Sequence, residues 1–133
     1  MMKTMKKILP VLLCCFLALP MIGCSNKLPD WADEEQLTQQ AQEILELVNA
    51  QKFDEVSALY DNGTVTGEQL ESSLAGLLKD FGEFKDFGTT RCETVTENGV
   101  EYVRIHQVVN YQNRKVTYRV VFNEKGALAG LWL

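Results

Sequence analysis

Histidine is nearly missing from this chain of 133 residues: His106 is the only one. Cysteine is scarce where a domain would use it. Of four cysteines, Cys14, Cys15 and Cys24 fall in the first 24 residues, and only Cys92 follows. No Cys/His spacing therefore suggests a zinc site, and no metal or cofactor is expected. Basic residues are also in deficit, with 13 Lys and Arg against 18 Asp and Glu. An acidic chain lacks the basic footprint of a nucleic-acid binder. There is no internal repeat and no low-complexity tract. An uninterrupted apolar run of about 20 residues, the length needed to span a bilayer, is missing as well.

What is present begins at the N-terminus. Lys3, Lys6 and Lys7 precede any acid, and Ile8 to Ile22 is apolar but interrupted by Pro10 and Pro20. That run is too short for a good membrane span and has the length and flanks of a secretory signal. It ends in Met21, Ile22, Gly23 and Cys24, a pattern that resembles the lipobox of bacterial lipoproteins, although that family prefers Leu where this chain has Met21. The resemblance implies cleavage between Gly23 and Cys24, with Met21, Ile22 and Gly23 read by the signal peptidase. The Cys24 thiol would carry diacylglycerol, and two acyl chains suffice for stable anchoring. Cys14 and Cys15 lack a small residue before them and read as filler of the signal core. The expected address is the extracytoplasmic face of the cell membrane.

The expected organisation is a signal over residues 1–23, a lipidated cysteine and short tether over 24–32, and one domain over 33–133. Three lysines leave with the signal, so the mature chain carries ten bases and 18 acids, a net charge of −8. Acylation of Cys24 would leave Cys92 as the only thiol, so no disulfide is expected. The linker from Ser25 to Asp30 reaches about 20 Å at full stretch, which keeps the domain close to the membrane. Along the mature chain the acids cluster early: Asp30 to Glu71 holds eleven acids and one base, Lys52.

Hydrophobic spacing separates helices from strands. Asp33 with Gln36 reads as a capping box, and Leu37, Ala41, Ile44, Leu45 and Val48 share one helical face behind it. After a break near Gln51, Phe53, Val56, Leu59 and Tyr60 continue as a short second helix. Asn62-Gly63 is a turn. Thr66 with Gln69 makes a second capping box ahead of Leu70, Leu74, Leu77, Leu78 and Phe81, with Gly82 as C-cap.

From Phe87 the period becomes two. Asn98-Gly99 is a strong hairpin signal that sets Cys92 opposite Ile105, Thr94 opposite Val103 and Arg91 opposite His106. A turn at Gln112-Asn113 sets Val109 opposite Val116 and Val103 opposite Phe122. A loop at Glu124-Lys125-Gly126 then turns Leu128 and Trp132 inward, leaving Ala129, Leu131 and Leu133 outward. The expected fold is α+β, with helices packed on a curved four-stranded antiparallel meander.

That order resembles the cone-shaped, cystatin-related fold of the nuclear transport factor 2-like superfamily. Three segments, "AQEILELVNAQKFDEVSALYD", "VTGEQLESSLAGLLKDFGEF" and "VTYRVVFNEKGALAGLWL", more narrowly resemble an uncharacterised domain family of bacterial, mainly Gram-positive, lipoproteins. The superfamily includes ketosteroid-isomerase-like enzymes, which need a titratable group inside the cone. No carboxylate and no histidine falls at an inward position of these registers, so no catalytic residue is expected. Thr90, Gln107, Tyr111 and Tyr118 are the polar inward residues and form a candidate pocket for a small apolar ligand. Cys92 reads as a small buried hydrophobe.

On the outer face Arg91, His106 and Arg119 align across three strands, with Arg104 nearby and Glu93 and Glu101 as partial neutralisers. They form a candidate patch for an anionic surface or an acidic partner. The function expected is a membrane-anchored, non-catalytic interaction module that meets a protein partner, or a second copy of itself, through the sheet. The rival is a pocket protein or a weak isomerase- or hydrolase-like enzyme.

Overall fold

A computed structural model describes residues 28–133. The signal segment, Met21, Ile22, Gly23 and Cys24 lie outside the described residues. Helix α1 (Glu34–Asn49) starts where the Asp33 carboxylate accepts the Gln36 N–H at 3.0 Å. This satisfies one of the four amides that every helix start leaves open. The expected stripe of Leu37, Ala41, Ile44, Leu45 and Val48 is buried in full. Gln51, at φ 59°, breaks the chain into the short helix α2 (Phe53–Ala58). Phe53, Val56 and Tyr60 are buried, but Leu59 is a correction: α2 ends before it and its side chain is exposed.

A 3-10 turn (Asp61–Gly63) leads to helix α3 (Gly67–Phe81). Its capping box is complete. The Thr66 hydroxyl accepts the Gln69 N–H at 3.1 Å, and the Gln69 side chain accepts the Thr66 N–H at 2.9 Å. Gly82, at φ 83°, ends the helix in a conformation that side chains avoid. Leu70, Leu74, Leu78 and Phe81 are buried, whereas Leu77 is 41% exposed, because the apolar stripe of α3 is wider than the face it packs.

The remaining chain is one sheet in the order β1 (Phe84–Glu97), β2 (Val100–Tyr111), β3 (Lys115–Phe122) and β4 (Leu128–Trp132), with all neighbours antiparallel. β1 begins three residues before Phe87, and Phe84 packs partly against the core. The first hairpin turns on Asn98 (φ 54°) and Gly99 (φ 80°), the two left-handed residues that a tight hairpin demands. Cys92↔Ile105, Arg91↔His106, Val109↔Val116 and Val103↔Phe122 all pair as expected. β1 slips register twice, between Phe84 and Asp86 and between Phe87 and Thr90.

The last strand departs from expectation. Phe122↔Leu128 is in the expected register, but an irregularity follows, and the next partners are Val121↔Gly130, Val120↔Leu131 and Arg119↔Trp132. One extra residue in β4 exchanges its faces. Leu131 points inward and packs partly on the core, while Trp132, expected inside, lies on the outer face and is 52% exposed.

The core fills the space between the helices and the inner face of the sheet, with Tyr118, Phe122, Leu45 and Ile105 among its largest fully enclosed side chains. Leu28, Trp31 and Ala32 also pack against it, so residues 28–32 belong with the domain. Cys92 is fully buried, as expected of a small hydrophobe. It is not a lone thiol, however: Cys92 is disulfide-bonded, and no free cysteine occurs among the described residues. Cys14, Cys15 and Cys24 all lie outside them.

Candidate functional site

The four inward polar residues form two bonded sets. Gln107, fully buried, sits beside the second slip of β1. Its amide nitrogen donates to the carbonyls of Gly88 (3.1 Å), Thr89 (3.3 Å) and Val108 (2.8 Å). Its oxygen accepts from the Thr90 hydroxyl at 2.6 Å and the Gln42 amide at 3.1 Å. The side chain thus supplies partners for backbone that the slip removes from the ladder, which a buried carbonyl requires. Thr90 also borders a shallow depression with Asp33, Glu34, Glu35 and Thr38.

Tyr111 and Tyr118 form the second set. Their hydroxyls lie 2.8 Å apart, and the Tyr111 hydroxyl donates to the Asn49 side-chain oxygen at 2.6 Å. The Asn49 side-chain nitrogen is buried without a partner. Burial pushes both phenols above the ordinary range, Tyr118 furthest, so both stay neutral at physiological pH. Phe81 and Phe84 stack around Tyr111 at 5.1 and 6.3 Å between centroids. All four inward polar residues therefore spend their polar atoms on partners inside the fold.

The outer face carries the expected ladder, extended by one rung: Arg91, His106, Arg119 and Trp132 are cross-strand neighbours. Much of its charge is already paired. A single Glu93 oxygen lies 2.9 Å from Arg104 Nη2 and 2.5 Å from His106 Nε2, and Arg104 Nε also donates to it at 2.9 Å. The hydrogen bond from His106, followed by Arg104, holds the Glu93 carboxyl below the usual carboxylate range. Glu101 takes no part in this: it pairs with Thr96, out of phase with Arg104, and so stands on the opposite face. Arg119 donates to the Leu133 carbonyl at 2.8 Å, while Arg91 is exposed on the edge strand.

A different surface was not legible as a site in the sequence. A groove of about 530 Å³ runs between α3 and β4. Leu70, Ser73, Leu74 and Leu77 form one wall, and Ala129 through Leu133 form the other. Tyr60, Thr64, Val65 and Gln69 complete the lining, so no charged side chain faces it. Trp132, Leu77 and Leu133, at 52%, 41% and 39% exposure, stand at its rim. The exchange of faces in β4 builds this surface by moving the indole out of the core. Among the described residues no cluster of His, Cys, Asp or Glu is placed to hold a metal, and no helix is long and apolar enough to cross a membrane.

Fold and surface together define a small α+β domain in which three helices cover one face of an open antiparallel sheet and leave one edge apolar. The chain belongs to the family described as "Protein of unknown function (DUF3887)", whose model matches residues 41–131. It is also similar to a solved structure described as "NMR structure of protein from Ruminococcus gnavus ATCC 29149". The two are 24% identical with a TM-score of 0.70, over 80% of this chain and 96% of that one. That likeness speaks for the fold alone. No curated protein matches the chain.

Proposed function

We propose that this protein is an extracytoplasmic lipoprotein, anchored to the cell membrane through Cys24, that works as a non-catalytic interaction module. The observation that carries the module reading is the α3–β4 groove: apolar, uncharged, and rimmed by exposed Trp132, Leu77 and Leu133. Contiguous exposed apolar surface of this kind marks interaction sites. General acid–base chemistry needs a titratable group poised near neutral pH, and the polar side-chain groups lining the groove are hydroxyls, one amide and the Trp132 indole. Helices followed by a four-stranded antiparallel meander also support reading the fold as a nuclear transport factor 2-like cone.

The anchor reading rests on the signal segment and on Gly23-Cys24. Leu28, Trp31 and Ala32 pack on the domain, and only three residues separate Leu28 from Cys24 in the sequence. In a chain cleaved before Cys24 the one cysteine left to pair with Cys92 is Cys24, and an acylated Cys24 is not available to a disulfide, so within one mature chain the anchor and the pairing of Cys92 exclude one another. Mass spectrometry of the mature chain should find diacylglycerol on Cys24, and Cys24→Ser should release the protein from membranes. A Cys24–Cys92 disulfide in the mature protein would overturn the anchor.

The module reading is tested by crosslinking and pull-down from native membranes. Trp132→Lys should remove the captured partner, whereas Arg91→Ser with Arg119→Ser tests the outer ladder separately. Capture unchanged by Trp132→Lys would move the binding surface away from the groove. A second reading, a pocket for a small apolar ligand, is favoured by the groove volume, which falls in the range of ligand sites. Co-purifying lipid or another apolar small molecule in native mass spectra would select it.

A further inference from the structure

Charge is divided between the two layers of the fold. Residues 28–83, which form the helices, hold thirteen acids and two bases, Lys52 and Lys79, a net −11. Residues 84–133, which form the sheet, hold five acids and seven bases, a net +2. A molecule polarised in this way is turned by the field of a charged surface.

On the sheet the bases gather on the face turned away from the helices. Arg91, His106, Arg119 and Trp132 make one cross-strand row, and Arg104 and Lys115 alternate onto the same face. Three acids share it. Glu93 is held by Arg104 and His106, Asp86 accepts from the Asn110 amide at 2.7 Å, and Glu97 lies at the hairpin end. Among the described residues Arg91 and Lys115 enter no ion pair, and both are exposed. Beside Arg91 lies a shallow depression of about 500 Å³, lined by Thr89, Thr90, Arg91, His106, Val108 and Thr117 and by no carboxylate. The row ends in the half-exposed Trp132 indole, and an amphipathic ring of this kind suits the headgroup level of a bilayer.

We infer that this outer face lies against an anionic bilayer surface, with Arg91, Lys115 and Arg119 among the lipid headgroups, Trp132 at their level and the acidic helices turned to solvent. The inference rests on the anchored-lipoprotein reading for what brings the domain to a membrane, and it adds which side meets it. Charge complementarity decides for lipid. Three residues separate Leu28 from Cys24 in the sequence, so an anchored domain must present one side to the headgroups. The helical layer, at net −11, is repelled from an anionic surface, whereas bases close to one are attracted to it. The α3–β4 groove, with Trp132 at its rim, would then open beside the bilayer.

The test uses the full chain, expressed with its own signal, purified and reconstituted into vesicles of phosphatidylcholine alone or with phosphatidylglycerol, the lipids brominated on shallow acyl carbons. Flotation reads attachment, and bromine quenching of tryptophan emission reads docking. Trp31→Phe leaves Trp132 as the only tryptophan; if it fails to fold, wild type is compared with Trp132→Phe. Quenching of Trp132 should be at least about twofold stronger on the anionic vesicles. The excess should vanish in Arg91→Ser with Lys115→Ser, and in about 1 M salt, where screening acts within about 3 Å. Lys52→Ser, on the helical layer, should leave it unchanged. Circular dichroism verifies each fold. Flotation on both vesicles with no excess quenching, or an excess indifferent to the two serines, overturns the docking and keeps the anchor. Flotation and quenching on anionic vesicles only overturn the anchor and keep the docking. Failure of both overturns both. Capture of an acidic protein that the two serines abolish, without quenching, overturns the bilayer and gives the face to that protein.

Discussion

The indole of Trp132 lies across Gly130 on the outer face of the sheet, so closely that a Cβ on Gly130 would fall 2.2 Å from the ring. The two residues are i and i+2 on one strand and therefore share a face. A bare glycine in a strand leaves backbone uncovered, and here the ring supplies the cover: Gly130 is buried while Trp132 is not. Gly130→Ala should push the indole off the strand. Because the ring tip is the mobile end of a half-exposed side chain, stability should change by no more than about 1 kcal/mol. Tryptophan emission should shift to the red as the ring enters water. An unchanged spectrum would contradict the contact.

Gln107 offers a harder test, since it is fully enclosed and bonded at both ends. Gln107→Leu keeps the approximate volume but strands the Thr90 hydroxyl and the carbonyls of Gly88 and Thr89. Unsatisfied buried groups cost about 1–3 kcal/mol each, and some of this is relieved by relaxation of the β1 slip. A loss of about 2–3 kcal/mol in urea unfolding is expected, seen as a lower midpoint at constant slope.

Tyr118→Phe removes one hydroxyl from the Tyr111–Tyr118 pair but leaves Tyr111 bonded to Asn49. The net worth of a neutral hydrogen bond, about 1 kcal/mol, should be lost in thermal or urea unfolding. Partner capture should remain at wild-type level if these phenols are structural. Loss of capture with the fold intact would return them to the binding site.

Glu93 gives a prediction in pH. Its folded-state pKa is lowered, first by the His106 hydrogen bond and then with help from Arg104. A carboxyl with a depressed pKa contributes stability that is present above its unfolded value, near 4.5, and is lost as pH falls through the lower folded value. Glu93→Gln should therefore flatten the acid limb of the stability curve below about pH 4.5, with a smaller difference from wild type at the acid end. An identical acid limb in both proteins would show the ion cluster to be energetically silent. The same variant leaves Arg104 without its counter-charge, so binding of anionic vesicles to the outer face should rise.

Helices and hairpins were legible because each announced itself within a few residues. Thr66 and Gln69 satisfy each other locally, the α1 stripe follows from spacing alone, and Asn98-Gly99 sets a register that the strands keep as far as Thr90. The four inward polar positions were legible too, since alternation set their face. Their partners were not: Gln107 reaches Gln42, 65 residues away, and Tyr111 reaches Asn49, 62 residues away. No local pattern encodes such contacts.

By itself the sequence determined the order of elements, the α+β class and most strand registers, because capping, helical spacing and turn chemistry act over short stretches. It also carries the lipobox-like segment that motivates the proposed anchor. Only the tertiary structure decided the surface. One extra residue in β4 turns Trp132 outward and Leu131 inward, and the packing of α3 leaves a groove beside the strand. A bulge is a choice between competing registers, settled by how the strand meets its neighbours and the core. The same packing set Glu93 between Arg104 and His106, placed Glu101 on the other face, and left one edge of the sheet apolar and bare.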